Sequence, residues 1–160
     1  MPILEFMLMP CQTKEALHRW IELFLGIDLP DYTVSQDSNC NPMDMIWWLY
    51  QKSVLEKNKA QQRAIFVGSR SGYKTLGMSI AELLAVIHGN KDVCHIGAIK
   101  AQATRCYEYF TKFLYNPLFK QLLKSEPTIS RTEFNNNKKV EIIPCTLSQT
   151  NGPHSNLVIL

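Results

Sequence analysis

The sequence predicts an α/β fold, with a mostly parallel sheet flanked by helices and preceded by a helical N-terminal lead-in. Three observations predict it. Short continuous apolar runs at 64–67, 93–98 and 156–160 read as strands buried on both faces. Segments with apolar residues at helical spacing alternate with these runs. A Gly-containing loop at 68–72 joins the first run to the helix that follows it. Composition agrees: 160 residues, 46% hydrophobic and 19% charged, are enough for one domain with a core and exclude a disordered chain.

Each element has a local reason. Thr13 suits the cap of a helix over 14–25, in which Leu17, Trp20, Ile21 and Phe24 share a face and Gly26 is the stop. A polar, Pro-containing stretch follows over 28–41. Asn41 and Pro42 then open a second helix, the Asn as cap and the Pro at the first helical position, with Asp44 near the positive helix end. Its apolar face takes Met45, Ile46 and Leu49 with Trp48 or Tyr50, and the charged run 56–63 ends it. Beyond the loop, Leu76, Ile80, Leu83, Leu84 and Ile87 line one helical face up to Gly89 and Asn90. Ala103, Cys106, Tyr107, Phe110, Phe113 and Leu114 form the next stripe, broken at Asn116-Pro117. The stretches 129–134 and 139–143, joined by 135–138, read as a hairpin. The organisation expected is a helical lead-in over 1–62 and a core over 63–160.

Several function classes receive no support. The opening apolar stretch lacks a basic flank and is bracketed by Pro2 and Pro10, so it does not read as a signal peptide. No run approaches the ~18 apolar residues of a membrane span. The formal net charge of +3 permits nucleic-acid contact without arguing for it. Cys11, Cys40, Cys94, Cys106 and Cys145 include no C-x-x-C pair, which predicts neither a zinc motif nor a disulfide framework and suits a reducing compartment. His18, His88, His95 and His154 are scattered and have no partner at metal-ligand spacing, so none is assigned to chemistry. Lys138 and Lys139 in the hairpin read as a solvated turn in preference to a DNA contact.

The chemistry-bearing stretch is GSRSGYKT at 68–75. A phosphate-binding loop has the pattern G-x-x-x-x-G-K-[ST]. Gly68, Lys74 and Thr75 fall in place, Tyr73 stands where the second glycine belongs, and Gly72 lies one position early. A bare match of this looseness arises by chance in on the order of a tenth of chains this long, so context decides. Here an apolar run precedes the loop and an amphipathic helix follows, the setting in which backbone N–H groups converge on an anion. In that setting Gly68, Ser69, Arg70, Ser71, Gly72, Tyr73, Lys74 and Thr75 cradle the phosphates of ATP. Lys74 neutralises β/γ-phosphate charge and Thr75 holds Mg²⁺. Arg70 reads equally as a solvated loop residue and as a group that senses or stabilises the γ-phosphate.

These residues resemble a known family. Ser69-Arg70 with Lys74-Thr75 is similar to the variant Walker A loop of large terminase subunits, the DNA-packaging motors of tailed bacteriophages and related viruses. The segment 97–102 resembles the one these motors carry after their second strand, 140–146 with Asn151-Gly152 their approach to Walker B, and 156–160 the Walker B strand itself. The resemblance implies a P-loop NTPase core of the ASCE type, with ATP and Mg²⁺ as cofactors and hydrolysis driving double-stranded DNA into a procapsid. It implies a homo-oligomeric ring working with a portal protein and a small terminase subunit in the cytoplasm of the infected host cell. The lead-in would close over the adenine, with Gln51 either an adenine contact or a polar helix-surface residue. The family's metal-binding Asp and water-activating Glu follow the Walker B strand, beyond Leu160, and its nuclease domain is not among these residues. The 160 residues alone are therefore expected to bind nucleotide weakly and to hydrolyse it negligibly. A P-loop helicase and a non-catalytic, degenerate P-loop module are the alternatives.

Overall fold

The computed structural model describes residues 2–33, 40–56, 65, 73–97, 100–144 and 155–159, without the side chains of 100–103 and 144. Helices α1 (Ile3–Leu8), α2 (Lys14–Leu25) and α3 (Pro42–Tyr50) come first, and α3 continues into a π-helical turn, Gln51–Leu55. Then come α4 (Lys74–Ile87), β1 (Val93–Gly97), α5 (Lys100–Phe113), the single turn α6 (Pro117–Lys120), β2 (Arg131–Glu133), β3 (Lys139–Pro144) and β4 (Leu157–Ile159).

The caps are the ones their chemistry demands. Thr13 accepts a hydrogen bond from the Ala16 N–H, and Asn41 accepts one from the Asp44 N–H with Pro42 behind it. Gly26 ends α2 in the left-handed region at φ 66°, where a side chain is strained. Helix α1 was not expected: its six residues are too few to show a helical period.

The sheet has the order β2-β3-β1-β4. Strands β3, β1 and β4 are parallel, with Val93 opposite Val140 on one side and Leu157 on the other. Strand β2 is antiparallel to β3 through the expected hairpin, Thr132 facing Val140. The α/β expectation therefore holds as a four-stranded mixed sheet flanked by helices. The run 64–67 lies outside the described residues except for Ile65, which is outside regular structure and 90% exposed. A buried strand is thus not what Ile65 adopts. A four-residue apolar run has no period of its own and needs a neighbouring ladder to become a strand, and Ile65 pairs with none among the described residues.

One hydrophobic core runs from the lead-in to the sheet, through Met7, Leu17, Ile21, Ile46, Leu83, Phe110, Phe134 and Val140. Helix α4 is its axis, packed against α3 on one side and α5 on the other. Gly77 permits the closest approach, since a Cβ there would collide with the Met45 methyl.

Candidate functional site

Lys74 and Thr75 are the first two residues of α4, Lys74 half-buried and Thr75 exposed. Tyr73 precedes them in the left-handed region, φ 55° and ψ 9°. For a residue with a Cβ this costs roughly 1–2 kcal/mol, and the phosphate-loop pattern places glycine at this position for that reason. The Tyr73 side chain caps nothing, so the opening N–H groups of α4 receive no hydrogen bond from it. Gly68, Ser69, Arg70, Ser71 and Gly72 lie outside the described residues.

Gln51 is elsewhere. Met45 and Ile46 pack at Gly77, whereas the Tyr50 hydroxyl meets His88 and the Ser53 carbonyl lies beside Gly89. Helix α3 and its π turn therefore run alongside α4 in the same direction, and Gln51 falls towards the C-terminal end of α4. The 14 residues of α4 put roughly 20 Å between its two ends at about 1.5 Å per residue. The structure does not bring Gln51 together with Lys74 and Thr75, and its expected role as an adenine contact gains nothing from this placement.

An apolar cavity of about 440 Å³ opens beside the first turn of α4. Leu76 forms one wall, Phe24, Leu25 and Ile27 of the lead-in another, and Tyr109, Lys112 and Phe113 of α5 the third. Lys112 holds its ammonium 5.2 Å from the Tyr109 ring centroid.

Two turns into α4 lies a polar cluster that the sequence does not announce. Glu82 is completely buried, and its Oε1 accepts a hydrogen bond from His95 Nδ1 on β1 at 2.6 Å. Cys106 Sγ on α5 lies 3.6 Å from the same oxygen. Ser79 Oγ lies 3.2 Å from Cys106 Sγ, 2.8 Å from the Thr75 carbonyl and 2.9 Å from the Cys106 carbonyl. Burial, reinforced by the Glu82 charge, pushes the Cys106 thiol well above the usual thiol range. Glu82 Oε2 is buried with no hydrogen-bond partner among the described residues, which costs about 1–3 kcal/mol if nothing satisfies it. One ligand atom from each of Glu82, His95 and Cys106 lies within 4.8 Å of the others. The one sequence signal is a carboxylate amid the apolar run of α4; nothing local points to His95 or Cys106 as its partners.

A second buried network ties the lead-in to α4. The Cys11 N–H donates to the Tyr50 hydroxyl at 2.8 Å, and that hydroxyl lies 2.8 Å from His88 Nδ1. His88 Nε2 lies 2.8 Å from the Met7 carbonyl, which only accepts, so Nε2 carries the proton. Nδ1 is then the acceptor and the Tyr50 hydroxyl the donor. The Met7 carbonyl takes a second bond from Trp20 Nε1 at 2.9 Å. Burial pushes the His88 pKa down to about 4, partly opposed by the Met7 carbonyl.

The two hairpin lysines face carboxylates: Lys138 Nζ is 3.3 Å from Asp92 and Lys139 Nζ 2.7 Å from Glu141. Among the described residues no helix is long and apolar enough to cross a membrane. Comparison with protein-family models, with curated proteins and with solved structures returned no match to this chain.

Proposed function

We propose that this chain is the ATP-binding part of a viral large terminase subunit, a P-loop NTPase of the ASCE type that drives double-stranded DNA into a procapsid. One observation carries the reading: Tyr73 is left-handed, in the glycine position of the loop pattern, directly before Lys74 and Thr75 at the start of α4. A residue with a Cβ holds that conformation only where its surroundings require it. In this reading 68–75 wraps the phosphates, Lys74 neutralises their charge, Thr75 holds Mg²⁺ and Arg70 faces the γ-phosphate. The cavity beside Leu76 offers the base an apolar berth closed by the lead-in. Its partners are the DNA, other copies in a ring, a portal protein and a small terminase subunit, in the cytoplasm of the infected host cell.

The strain at Tyr73 favours a second reading, a degenerate P-loop module that assembles without turning over nucleotide. Calorimetric titration of Mg·ATP, beside a Lys74→Ala variant shown by circular dichroism to be folded, tests the site. Binding that disappears in the variant is the expected result. No binding by the folded chain, or equal binding by both proteins, refutes it.

A further inference from the structure

From the convergence of three different donor types in one buried cluster, we propose that Glu82, His95 and Cys106 form a binding site for a thiophilic divalent cation of the zinc class. The three residues come from α4, β1 and α5, and their ligand atoms lie within 4.8 Å of one another. Carboxylate, imidazole and thiolate are the ligand set of a zinc ion and unsuited to magnesium or calcium, which take oxygen donors.

Coordination needs small shifts of the ligand atoms: His95 Nδ1 and Cys106 Sγ lie within 4.8 Å of each other, and the other two pairs are closer. Ligand bonds of about 2.0–2.3 Å at tetrahedral angles separate the ligand atoms by roughly 3.3–3.7 Å. Cys106 Sγ and Glu82 Oε1, at 3.6 Å, already satisfy this. Glu82 Oε1 and His95 Nδ1, at 2.6 Å, are joined by a hydrogen bond that the cation replaces when the pair parts by about 1 Å.

A second observation points the same way. Glu82 is 0% exposed, and its Oε2 has no hydrogen-bond partner among the described residues. A buried carboxylate oxygen without a donor is unusual, and a cation held by both oxygens of Glu82 satisfies it. The charges close as well: a dication meets one carboxylate and one thiolate beside a neutral imidazole. Binding releases the Cys106 proton to solvent, so affinity rises with pH. Glu82 Oε2 or a water completes four-coordination. The ion pins the middle of α4 to β1 and α5, two turns from Thr75. This structural role is separate from nucleotide binding and does not depend on it.

Because the ligands are buried, the full chain is refolded with one equivalent of Co²⁺ as the probe. The expected result is a thiolate-to-cobalt charge-transfer band that saturates at one ion per chain and is displaced by Zn²⁺. Cys106→Ser abolishes the band, while a chain with Ser at the other four cysteines keeps it. His95→Gln weakens Co²⁺ affinity by more than the roughly 10–100-fold that loss of an outer-sphere partner costs. A folded wild-type chain that gives no band, a band that survives Cys106→Ser, or one lost when the other four cysteines are replaced overturns the proposal. The wild-type and four-serine readings decide it even where the Cys106 variant fails to fold.

Discussion

Lowering the pH should destabilise this fold through His88 before most of its carboxylates titrate. In the folded chain His88 donates from Nε2 to the Met7 carbonyl and accepts the Tyr50 hydroxyl at Nδ1. Its ring packs edge-on against Trp20, with centroids 5.1 Å apart. A second proton must go on Nδ1, which breaks the Tyr50 bond and puts a charge in the core. The folded pKa is therefore depressed to about 4, against 6.5 for the free group. Between those values the unfolded chain binds more protons than the folded one, so the contribution is intact above pH 6.5 and is lost as pH falls towards 4. The full gap is worth roughly 3 kcal/mol, about 2 kcal/mol of it gone by pH 5, at about 1.4 kcal/mol per pH unit. Urea midpoints measured from about pH 7 to pH 4 on the wild type and on His88→Gln provide the assay. Gln keeps a donor and an acceptor but does not titrate, so the stability difference between the two proteins should narrow by that amount as pH falls. Parallel pH profiles would refute the argument, since the proton would then have no preference for the unfolded chain.

Three further outcomes follow from the same structure. Tyr73→Gly should raise stability by about 0.5–1 kcal/mol, the left-handed strain less the entropy cost of glycine, read as a rise in thermal midpoint; if 68–75 is the phosphate loop, the substitution should also tighten Mg·ATP binding in calorimetry. Phe110→Ala empties a fully buried site packed edge-on against Phe134 and should cost about 3–5 kcal/mol in chemical denaturation. Asn41→Ala removes the side-chain oxygen that accepts the Asp44 N–H and should cost about 1 kcal/mol, with Asn41→Ser recovering most of it.

The local grammar of the chain was legible because its causes are local. Thr13, Asn41 and Gly26 set helix ends through hydrogen bonds and backbone angles that span only a few residues. The apolar stripes of α4 and α5 and the hairpin through 135–138 follow from periods of 3.6 and 2 that survive without tertiary context. The left-handed backbone at position 73 was only half legible, because the loop pattern puts a glycine there while this chain carries Tyr73 and offers Gly72 one position early.

What only the tertiary structure decided are the encounters between distant residues. Sheet order β2-β3-β1-β4 puts β4 beside β1 across some sixty intervening residues, and no periodicity encodes that neighbour. Gln51 lies away from Lys74 and Thr75, because α3 runs parallel to α4 and carries it towards the far end. Tyr50 meets His88 38 positions away, and Glu82 meets His95 and Cys106 at 13 and 24. The sequence alone determined the longer helices, the hairpin and the strands at 93–97 and 157–159, since backbone hydrogen bonding and burial period are properties of neighbours in the chain. Which polar side chains share a dry interior was decided by packing, since burying Glu82 is tolerable only where β1 and α5 deliver an imidazole and a thiol to it.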